Sequence, residues 1–301
     1  MWRFILFKAS IHIYCCIVNT YYINTINFVL LLKHKEIYMS SIPNYYRLSK
    51  HVKNWLLYFK RKHEKNETTR YITKGKNLVF DVPPVFFFVF KEIFMEDFYH
   101  IDDLLSHIPN NATIVDIGCN AGYFSFIAVS KKEDATVYAY DPMKVNTDLF
   151  SNNIKLNQHL DKQIKVFNKA VTGIEQGSIQ LYFDDVNNDS VIASVFENFS
   201  EKNNQVTMVE TISLIKIIQE NNISTIDLLK LDCEGSEYPI LYDSPDIVWN
   251  YIKHLTIETH ELDNEQKNTK ALTAFLESKG YSLEMHQAEN NCYSIRAYKN
   301  A

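Results

Sequence analysis

Short apolar segments alternate with amphipathic segments along the chain from about residue 110 onward. This pattern predicts strands over residues 113–117, 136–140, 164–167, 179–183, 226–231 and 252–259. It predicts helices over residues 123–130, 144–156, 214–219 and 265–278, and a closing hairpin over residues 281–285 and 292–298. Ahead of them, the phenylalanine-rich run at residues 86–90 predicts a buried strand. Strands that alternate with helices indicate a parallel sheet covered on both faces, which binds ligands beyond the carboxyl ends of its strands.

The chain before residue 77 has a different pattern. Residues 9–32 contain no Lys, Arg, Asp or Glu and are long enough to cross a bilayer. Three asparagines, two threonines and a histidine interrupt the segment, however, and unpaired amides are costly in lipid. Three interpretations stay open for residues 1–38. They are a membrane anchor with the body in the cytosol, an apolar segment packed on the body, or residues upstream of a natural start at Met39.

Residues 39–76 form a basic amphipathic arm. The apolar positions that share one helical face are Leu48, Val52, Trp55, Leu56 and Phe59. Lysines and arginines surround that face, so one interpretation is a helix that lies on a membrane surface. The alternative is a helix docked on the body with its charged side in solvent. Peripheral or anchored membrane contact through residues 1–65 is therefore an open expectation.

The formal net charge of −5 hides an asymmetry between this arm and the body. Residues 1–76 carry a balance of +11, whereas residues 77–301 carry −16. Binding of nucleic acid requires clustered positive charge, and an acidic body repels the phosphate backbone, so we expect no nucleic-acid partner. Five cysteines without a C-x-x-C pair favour a reducing compartment over a disulfide framework. The predicted location is the cytoplasm, with attachment to the cytosolic face of a membrane as the open alternative.

A glycine turn follows the first predicted strand of the body. It runs from Asp116 through Gly118 and Asn120 to Gly122, and a helix begins at once. Glycines there allow a tight turn and a close approach to a ligand, and the helix N-terminus offers free N–H groups. The turn lacks the G-x-G-x-x-G pattern of dinucleotide sites, which disfavours a pyrophosphate ligand.

The second predicted strand of the body ends at Asp141, 19 residues after Gly122. An acidic residue at that position can accept hydrogen bonds from both hydroxyls of a ribose. Asp141 also precedes Pro142, so it fits the N-cap of the next helix equally well when it is considered alone. Its distance from the glycine turn favours the ribose role.

Charged residues end two further predicted strands. Lys230, Asp232 and Glu234 alternate along one strand end, and Glu258 and His260 alternate along the next. Alternating residues share a face of a strand. Charges at the end of a buried strand need a structural or chemical reason, because desolvation is expensive. Lys230 fits an ion pair that holds the strand end and a substrate contact equally well.

Five motifs in this order resemble the FkbM family of S-adenosylmethionine-dependent methyltransferases. They are D-I-G-x-N-x-G-Y-F-S, A-Y-D-P, N-K-A-V, I-D-L-L-K-L-D-C-E-G-S-E and I-E-T-H-E. The resemblance covers about residues 77–298, and K-L-D-C-E-G-S-E is its most specific part. The sequence departs from the family pattern at Cys119, Asp141 and Cys233, each with a residue of similar size or charge class.

Membership of that family implies the class I methyltransferase fold. This is a doubly wound, mostly parallel seven-stranded α/β sheet with an antiparallel last strand. It also implies S-adenosyl-L-methionine as the cofactor and O-methylation of a hydroxyl on a sugar, glycolipid or polyketide-like small molecule. The cofactor-binding residues that the resemblance implies are Asp116, Gly118, Asn120, Gly122, Tyr123, Asp141, Ala170 and Asp232.

Three residues are candidates for a general base that activates the acceptor hydroxyl. They are Asp232, His260 and Glu234, all at predicted carboxyl ends of strands. A metal held by Asp232, Glu258 and His260 is a weaker alternative, and our prediction is that no metal is used. Two other functions stay open at this point. One is a non-catalytic metabolite-binding protein on the same fold, and the other is a dinucleotide-dependent oxidoreductase.

Overall fold

The computed structural model describes residues 44–63, 67–183, 193–196, 199, 204–289 and 291–299. By internal contacts the chain divides into Met1–Tyr46 and Arg47–Ala301, and nearly all of the first unit lies outside the described residues. The three interpretations of residues 1–38 therefore stay predictions. Within the described ranges, no helix combines the length and the apolar character that a membrane crossing requires.

The strands of the described residues have lengths between two and nine residues. They are β1 (Thr69–Ile72), β2 (Val79–Val82), β3 (Thr113–Ile117), β4 (Thr136–Tyr140), β5 (Ile164–Phe167), β6 (Ala170–Thr172), β7 (Ser178–Phe183), β8 (Ala193–Ser194), β9 (Gln205–Ser213), β10 (Leu228–Leu231), β11 (His254–His260), β12 (Ser282–Glu289) and β13 (Cys292–Tyr298). The body strands predicted from the alternation are all present, apart from the one expected at residues 86–90.

Seven of these strands form one sheet in the order β12-β13-β11-β10-β3-β4-β5. The five neighbours from β11 to β5 run parallel, and β13 runs antiparallel to both of its neighbours. The predicted fold, a doubly wound α/β sheet with an antiparallel last strand, is confirmed. The chain winds outward from β3 through β4 and β5, then returns to start again at β10. The topological switch point therefore lies between β3 and β10, where ligands bind in such sheets.

Helices pack against the sheet. They are α1 (Leu57–His63), α2 (Phe87–Lys91), α3 (Ile101–Ser106), α4 (Tyr123–Lys131), α5 (Lys144–Leu156), α6 (Leu214–Glu220), α7 (Glu237–Tyr242) and α8 (Thr269–Ser278). The helix predicted from residue 265 begins only at Thr269. The side chain of Asn268 accepts the amide of Ala271 at 2.9 Å and caps α8 there. In the segment before α8, Oδ1 of Asp263 accepts hydrogen bonds from the backbone amides of Glu265, Gln266 and Lys267. These bonds hold residues 263–267 in a turn.

The centre of the main sheet is buried on both faces. Every residue of β10 is buried, and its neighbours β3 and β11 contribute Val115, Ile117 and Ile257 to the same core. A continuous apolar strand is what a parallel sheet with helices on both sides requires. Lys230 is the charged exception in β10, which points to a specific partner for its ammonium group.

A second, smaller sheet is inserted between β5 and β10. Its order is β6-β9-β7-β8, with β6 parallel to β9 and the other pairs antiparallel. The alternation predicted only the β7 part of this sheet. The first half of β9 is largely exposed on both faces, with Met208 59% exposed, so it lacks the buried face that produces a readable alternation.

The prediction of a strand over residues 86–90 is wrong. The chain forms a 3₁₀ turn over Pro84–Phe86, then α2, then a π turn over Glu92–Glu96. Phe86, Phe90 and Phe94 recur every fourth residue and are buried together, which is a helical spacing. The unbroken run of phenylalanines concealed this period, because its other members are also apolar.

The single amphipathic helix expected around residues 48–59 is interrupted. Residues 44–51 are helical, but the amide of Lys53 then donates to the carbonyl oxygen of Ile72 in β1 at 2.7 Å, and helix resumes only in α1. Leu48 and Val52 are fully buried in the fold, whereas Leu56 is 58% exposed. Docking onto the body therefore accounts for the first part of the apolar face. Membrane contact of the preceding segment stays a prediction.

Candidate active site

The glycine turn connects β3 to α4 and lies against the end of β10. Gly118 has a φ of 74°, and a Cβ at this position would lie 1.7 Å from the carbonyl oxygen of Asp232. Its amide donates to the carbonyl oxygen of Tyr140 at the end of β4, at 2.9 Å. Only glycine combines this backbone conformation with the absence of a side chain. The turn is therefore held between two strand ends, with its backbone open to a ligand.

Asp141 lies at the end of β4 and folds back onto this turn. Its Oδ2 accepts the amide of Asn120 at 2.9 Å, and its Oδ1 accepts the amide of Met143 at 2.8 Å and the side-chain amide of Asn146 at 3.0 Å. Burial raises the pKa of Asp141 to about 7, although these donors favour the ionised form. The N-cap of α5 is Met143, so the alternative in which Asp141 caps the helix with Pro142 at its first position is wrong. Asp141 instead holds the segment between β4 and α5 and lines the cavity beside the turn.

A cavity of about 860 Å³, which includes its opening to solvent, lies at this edge of the sheet. The predicted site residues that line it are Gly118, Asn120, Asp141, Ala170, Asp232 and Glu234. Apolar residues of α2 and of the small sheet also line it, among them Phe88, Val89, Ile179 and Leu181. The structure therefore brings residues from four separate motifs to one cavity at the switch point.

Three predicted cofactor residues lie outside this cavity lining. Asp116 is fully buried beneath the turn, where its Oδ2 accepts the Ser125 hydroxyl at 2.6 Å. Gly122, with a φ of 79°, faces the ring of Phe150 so closely that a Cβ would lie 2.2 Å from it. The side chain of Tyr123 packs into a buried aromatic cluster on the other side. These residues support the turn from below, and this placement gives no side-chain contact to a ligand in the cavity.

Lys230 explains why a charge is tolerated in the central strand. Its Nζ lies 3.1 Å from the carbonyl oxygen of Gly118, 3.3 Å from Oδ1 of Asp116 and 3.4 Å from Oδ2 of Asp232. Burial lowers the pKa of Lys230, but the two carboxylates outweigh it and hold the pKa above its usual value. Of the two interpretations of Lys230, the ion pair agrees with the geometry. Its ammonium group contacts both the glycine turn, at Gly118 and Asp116, and the end of β10, at Asp232.

Tyr99 enters the site from the segment before α3 and was missed in the sequence. Its hydroxyl donates to Oδ2 of Asp232 at 2.5 Å. The guanidinium of Arg296 in β13 donates to the carbonyl oxygens of Tyr99 and His100 at 2.8 and 3.2 Å and pairs with Asp103. The side chain that orients Asp232 is thus itself held by the last strand. No motif marks Tyr99, because the segment that carries it has no periodicity.

Several carboxyl groups besides Asp141 line the same cavity. Glu92, Glu234 and Glu258 line it together with Asp232. Burial is the largest cause that raises the pKa of each glutamate, and repulsion from Asp232 is the next. The pKa reaches about 7 for Glu92 and about 8 for Glu234. A site of this kind favours a positively charged ligand, because a cation relieves the repulsion. Glu92 was missed in the sequence because it follows the segment, residues 86–90, that was wrongly predicted to be a strand.

His260 lies behind these carboxylates rather than in the first cavity. It lines a second cavity, of about 1210 Å³ with its opening, which shares Glu92 and Glu258 with the first. Its Nε2 is 3.9 Å from a carboxylate oxygen of Glu234 and 3.9 Å from one of Glu258. Burial lowers the pKa of His260. The three candidate bases are therefore close together, but only Asp232 and Glu234 face the cavity of the glycine turn.

Comparisons with known proteins agree with this geometry. The family model described as the methyltransferase FkbM domain matches residues 116–283, which is more than half of the chain. Methyltransferase sdnD of Sordaria araneosa is 28% identical over 227 residues, which cover 67% of this chain and 84% of that protein. Methyltransferase 1 of Beauveria bassiana is 24% identical, with coverage of 67% and 83%.

Among solved structures, a methyltransferase FkbM from Methylobacillus flagellatus is similar with a TM-score of 0.43 and 15% identity. The similarity covers 63% of this chain and 44% of that chain.

The strand order, the glycine turn and the acidic strand ends define a class I methyltransferase. The chain belongs to the FkbM methyltransferase family. It is an enzyme that takes its methyl group from S-adenosyl-L-methionine, so the non-catalytic and oxidoreductase alternatives are set aside. The cavity suits this cofactor, because it combines an exposed glycine backbone, a buried carboxylate at the second strand end and a surplus of carboxylates that favours a cation.

Proposed function

We propose that this enzyme methylates a hydroxyl group of a sugar, glycolipid or polyketide-like small molecule. The observation that carries the proposal is the position of Asp232, which lines the cavity together with the glycine turn and the glutamates. Oδ2 of Asp232 accepts the hydroxyl of Tyr99. Among the described residues, no side chain or amide donates a hydrogen bond to Oδ1. An oriented carboxylate with a free oxygen can accept the proton of an acceptor hydroxyl.

The residues around the turn would hold the cofactor. The backbone of Gly118 and Asn120 would face its methionine part, the carboxylate of Asp141 its ribose, and Ala170 its adenine. When bound, S-adenosyl-L-methionine supplies a methyl group on a positively charged sulfur, which makes the methyl carbon electrophilic. The glutamates that line the cavity favour that charge. Much of the acceleration in such a site comes from orienting the two reactants.

The candidate bases take different roles in this proposal. Asp232 accepts the hydroxyl proton at Oδ1 while Tyr99 and Lys230 hold Oδ2. Glu234, whose pKa is raised to about 8 by burial and by Asp232, is protonated at neutral pH and donates a hydrogen bond to the acceptor. His260 contacts both glutamates from behind and acts through them.

The walls of the cavity support an acceptor of mixed character. The lining combines Phe88 and Val89 of α2 and Ile179 and Leu181 of β7 with the acidic group. An acceptor with an apolar face and several hydroxyls fits this mixed lining. A strongly anionic acceptor would meet the carboxylates, so free sugar phosphates are disfavoured.

The test uses the purified full-length protein with methyl-labelled S-adenosyl-L-methionine and extracts separated into glycan, lipid and small-molecule fractions. We expect label in a linkage that survives mild base, as a methyl ether does and a methyl ester does not. Asp232→Asn should abolish incorporation, whereas Asp246→Asn, at an exposed residue that pairs with Lys279 and lines neither cavity, should leave it unchanged. Label that is released by base, or label on nitrogen only, would overturn the hydroxyl acceptor. Calorimetry with S-adenosylhomocysteine reports separately whether the cofactor site is intact.

A further inference from the structure

Three metal-ligating side chains from two strands converge at the carboxyl edge of the main sheet. Glu258 and His260 belong to β11, and Cys292 is the first residue of β13. The antiparallel register pairs His260 directly with Cys292 and places Glu258 two residues before it on the same face. One carboxylate oxygen, one imidazole nitrogen and the sulfur lie within 4.8 Å of one another. We propose that Glu258, His260 and Cys292 bind a divalent transition metal of the Zn²⁺ class.

The distances already approach those of a coordination sphere. Sγ of Cys292 lies 3.2 Å from Oε1 of Glu258, and Nε2 of His260 lies 3.9 Å from the same oxygen. Ligands at about 2.0 to 2.3 Å from a tetrahedral ion are separated by roughly 3.2 to 3.8 Å, so only small side-chain movements are needed. A set of one sulfur, one nitrogen and one oxygen ligand selects Zn²⁺ or Co²⁺ over Mg²⁺ and Ca²⁺, which prefer oxygen alone.

The charges of the region also favour a cation at this place. Within the described residues, no lysine or arginine pairs with Glu258 or Glu234. Lys230 is engaged by Asp116 and Asp232 on the other side of the site. A divalent ion between Glu258, His260 and Cys292 would bring positive charge to these carboxyl groups in place of protons. It also gives a reason for a buried cysteine whose sulfur is directed at a carboxylate.

The ligands are positioned by their surroundings. The ring of His260 meets Phe199 edge-on with ring centroids 5.3 Å apart, and its carbonyl oxygen accepts the hydroxyl of Tyr238 at 2.7 Å. Glu258 is held by the sheet through its pairing with Ser294. Such outer contacts fix ligand orientation before a metal arrives.

Three protein ligands leave a tetrahedral ion with one further position. All three ligands line the second cavity, so that position opens to solvent there, and Glu258 also lines the first cavity. An oxygen donor that reaches the junction of the two cavities can take the open position, as in catalytic rather than structural zinc sites. Only this last step rests on the proposed function, because metal binding itself is independent of the acceptor. The structure thus replaces the ligand set weighed from the sequence, in which Asp232 held the third place.

The test measures metal binding to the full-length protein rather than activity. Purified protein is stripped with a chelator and titrated with Co²⁺, whose thiolate complexes have an intense charge-transfer band. We expect one ion per chain and a band that disappears in Cys292→Ser. His260→Asn and Glu258→Gln should weaken binding by at least about tenfold. The matched controls are Cys233→Ser, and His254→Asn at the other end of β11, which should keep the band.

A second measurement uses the unaltered protein. Bound Zn²⁺ should protect Cys292 from alkylation, as mapped by mass spectrometry, and a chelator should remove that protection. Absence of stoichiometric Co²⁺ binding, or a band and a protection pattern that do not depend on Cys292, would overturn the proposal. Binding of S-adenosylhomocysteine is followed in the same samples, so a failed metal site and a failed methyltransferase site give different results.

Discussion

The carbonyl oxygen of Asp232 occupies the space that a side chain on Gly118 would need. A Cβ on Gly118 would lie 1.7 Å from that oxygen, and both residues directly follow the ends of neighbouring parallel strands. Through this contact the backbone of the glycine turn packs directly against the backbone of Asp232, the proposed base. Any side chain at this position has to separate the ends of β3 and β10.

Gly118→Ala should therefore abolish cofactor binding. The added methyl group meets backbone rather than a flexible side chain, so the turn itself has to move, and calorimetry should detect no binding of S-adenosylhomocysteine. Gly75→Ala is the matched control. Gly75 has a similar positive φ, 77°, but a Cβ at this position would meet no atom within 4 Å. That variant should lose about 1 kcal/mol of stability from the left-handed backbone alone and keep its cofactor affinity. Equal affinities of the two variants would contradict the contact.

The carboxyl group of Asp141 should make cofactor binding depend on pH near neutrality. Burial raises its pKa to about 7, and a ribose is bound by the ionised form, which accepts hydrogen bonds. The affinity for S-adenosylhomocysteine should therefore rise as the pH increases from 6 to 8. Asp141→Asn should bind at least about tenfold more weakly and lose this rise. Asp148→Asn, an exposed residue on α5 that pairs with Lys144, should retain it.

The same carboxyl group has the opposite effect on the stability of the free protein. A pKa raised in the folded state means that the folded chain retains a proton that the unfolded chain has released. Its contribution to the free energy of unfolding is therefore largest below about pH 4 and falls as the pH rises to 7. Cofactor should restore stability most strongly above pH 7. If the melting temperature with cofactor changed with pH in the same way as that of the free protein, the proposed contact between Asp141 and the cofactor would be contradicted.

Removal of the charge at Lys230 should destabilise the fold. Lys230→Met leaves Asp116 buried without its cation, a change that costs roughly 3 to 5 kcal/mol when a buried ion pair loses one partner. Denaturant unfolding measures the loss. Lys253→Met is the control, since Lys253 pairs with Asp227 but is 57% exposed, and such pairs contribute about 1 kcal/mol or less. The double variant Lys230→Met with Asp116→Asn should recover part of the lost stability, because the buried charge is gone.

The main sheet and most of the cofactor site could be predicted from the sequence because both are encoded locally. A buried parallel strand is a continuous apolar run, and a glycine turn needs glycine at fixed positions, so Gly118 and Asp141 are recognisable in the sequence. The role of Tyr99 could not be predicted in this way. It depends on Arg296, which lies almost two hundred residues later and holds the Tyr99 backbone across the sheet edge. Cys292 likewise meets His260 only through the register of two strands.

The hydroxyl of Tyr99 should act on the chemical step rather than on cofactor binding. It donates to Oδ2 of Asp232 and so orients the carboxylate whose other oxygen accepts the proton. Tyr99→Phe should lower kcat about tenfold or more, with little change in the affinity for S-adenosylhomocysteine. Tyr281→Phe removes an equally buried hydroxyl, which donates to the carbonyl oxygen of Ile252 far from both cavities. That control should lose about 1 kcal/mol of stability and keep kcat. If the two variants lost stability alike and neither lost kcat, Tyr99 would be a structural residue and Asp232 would not depend on it.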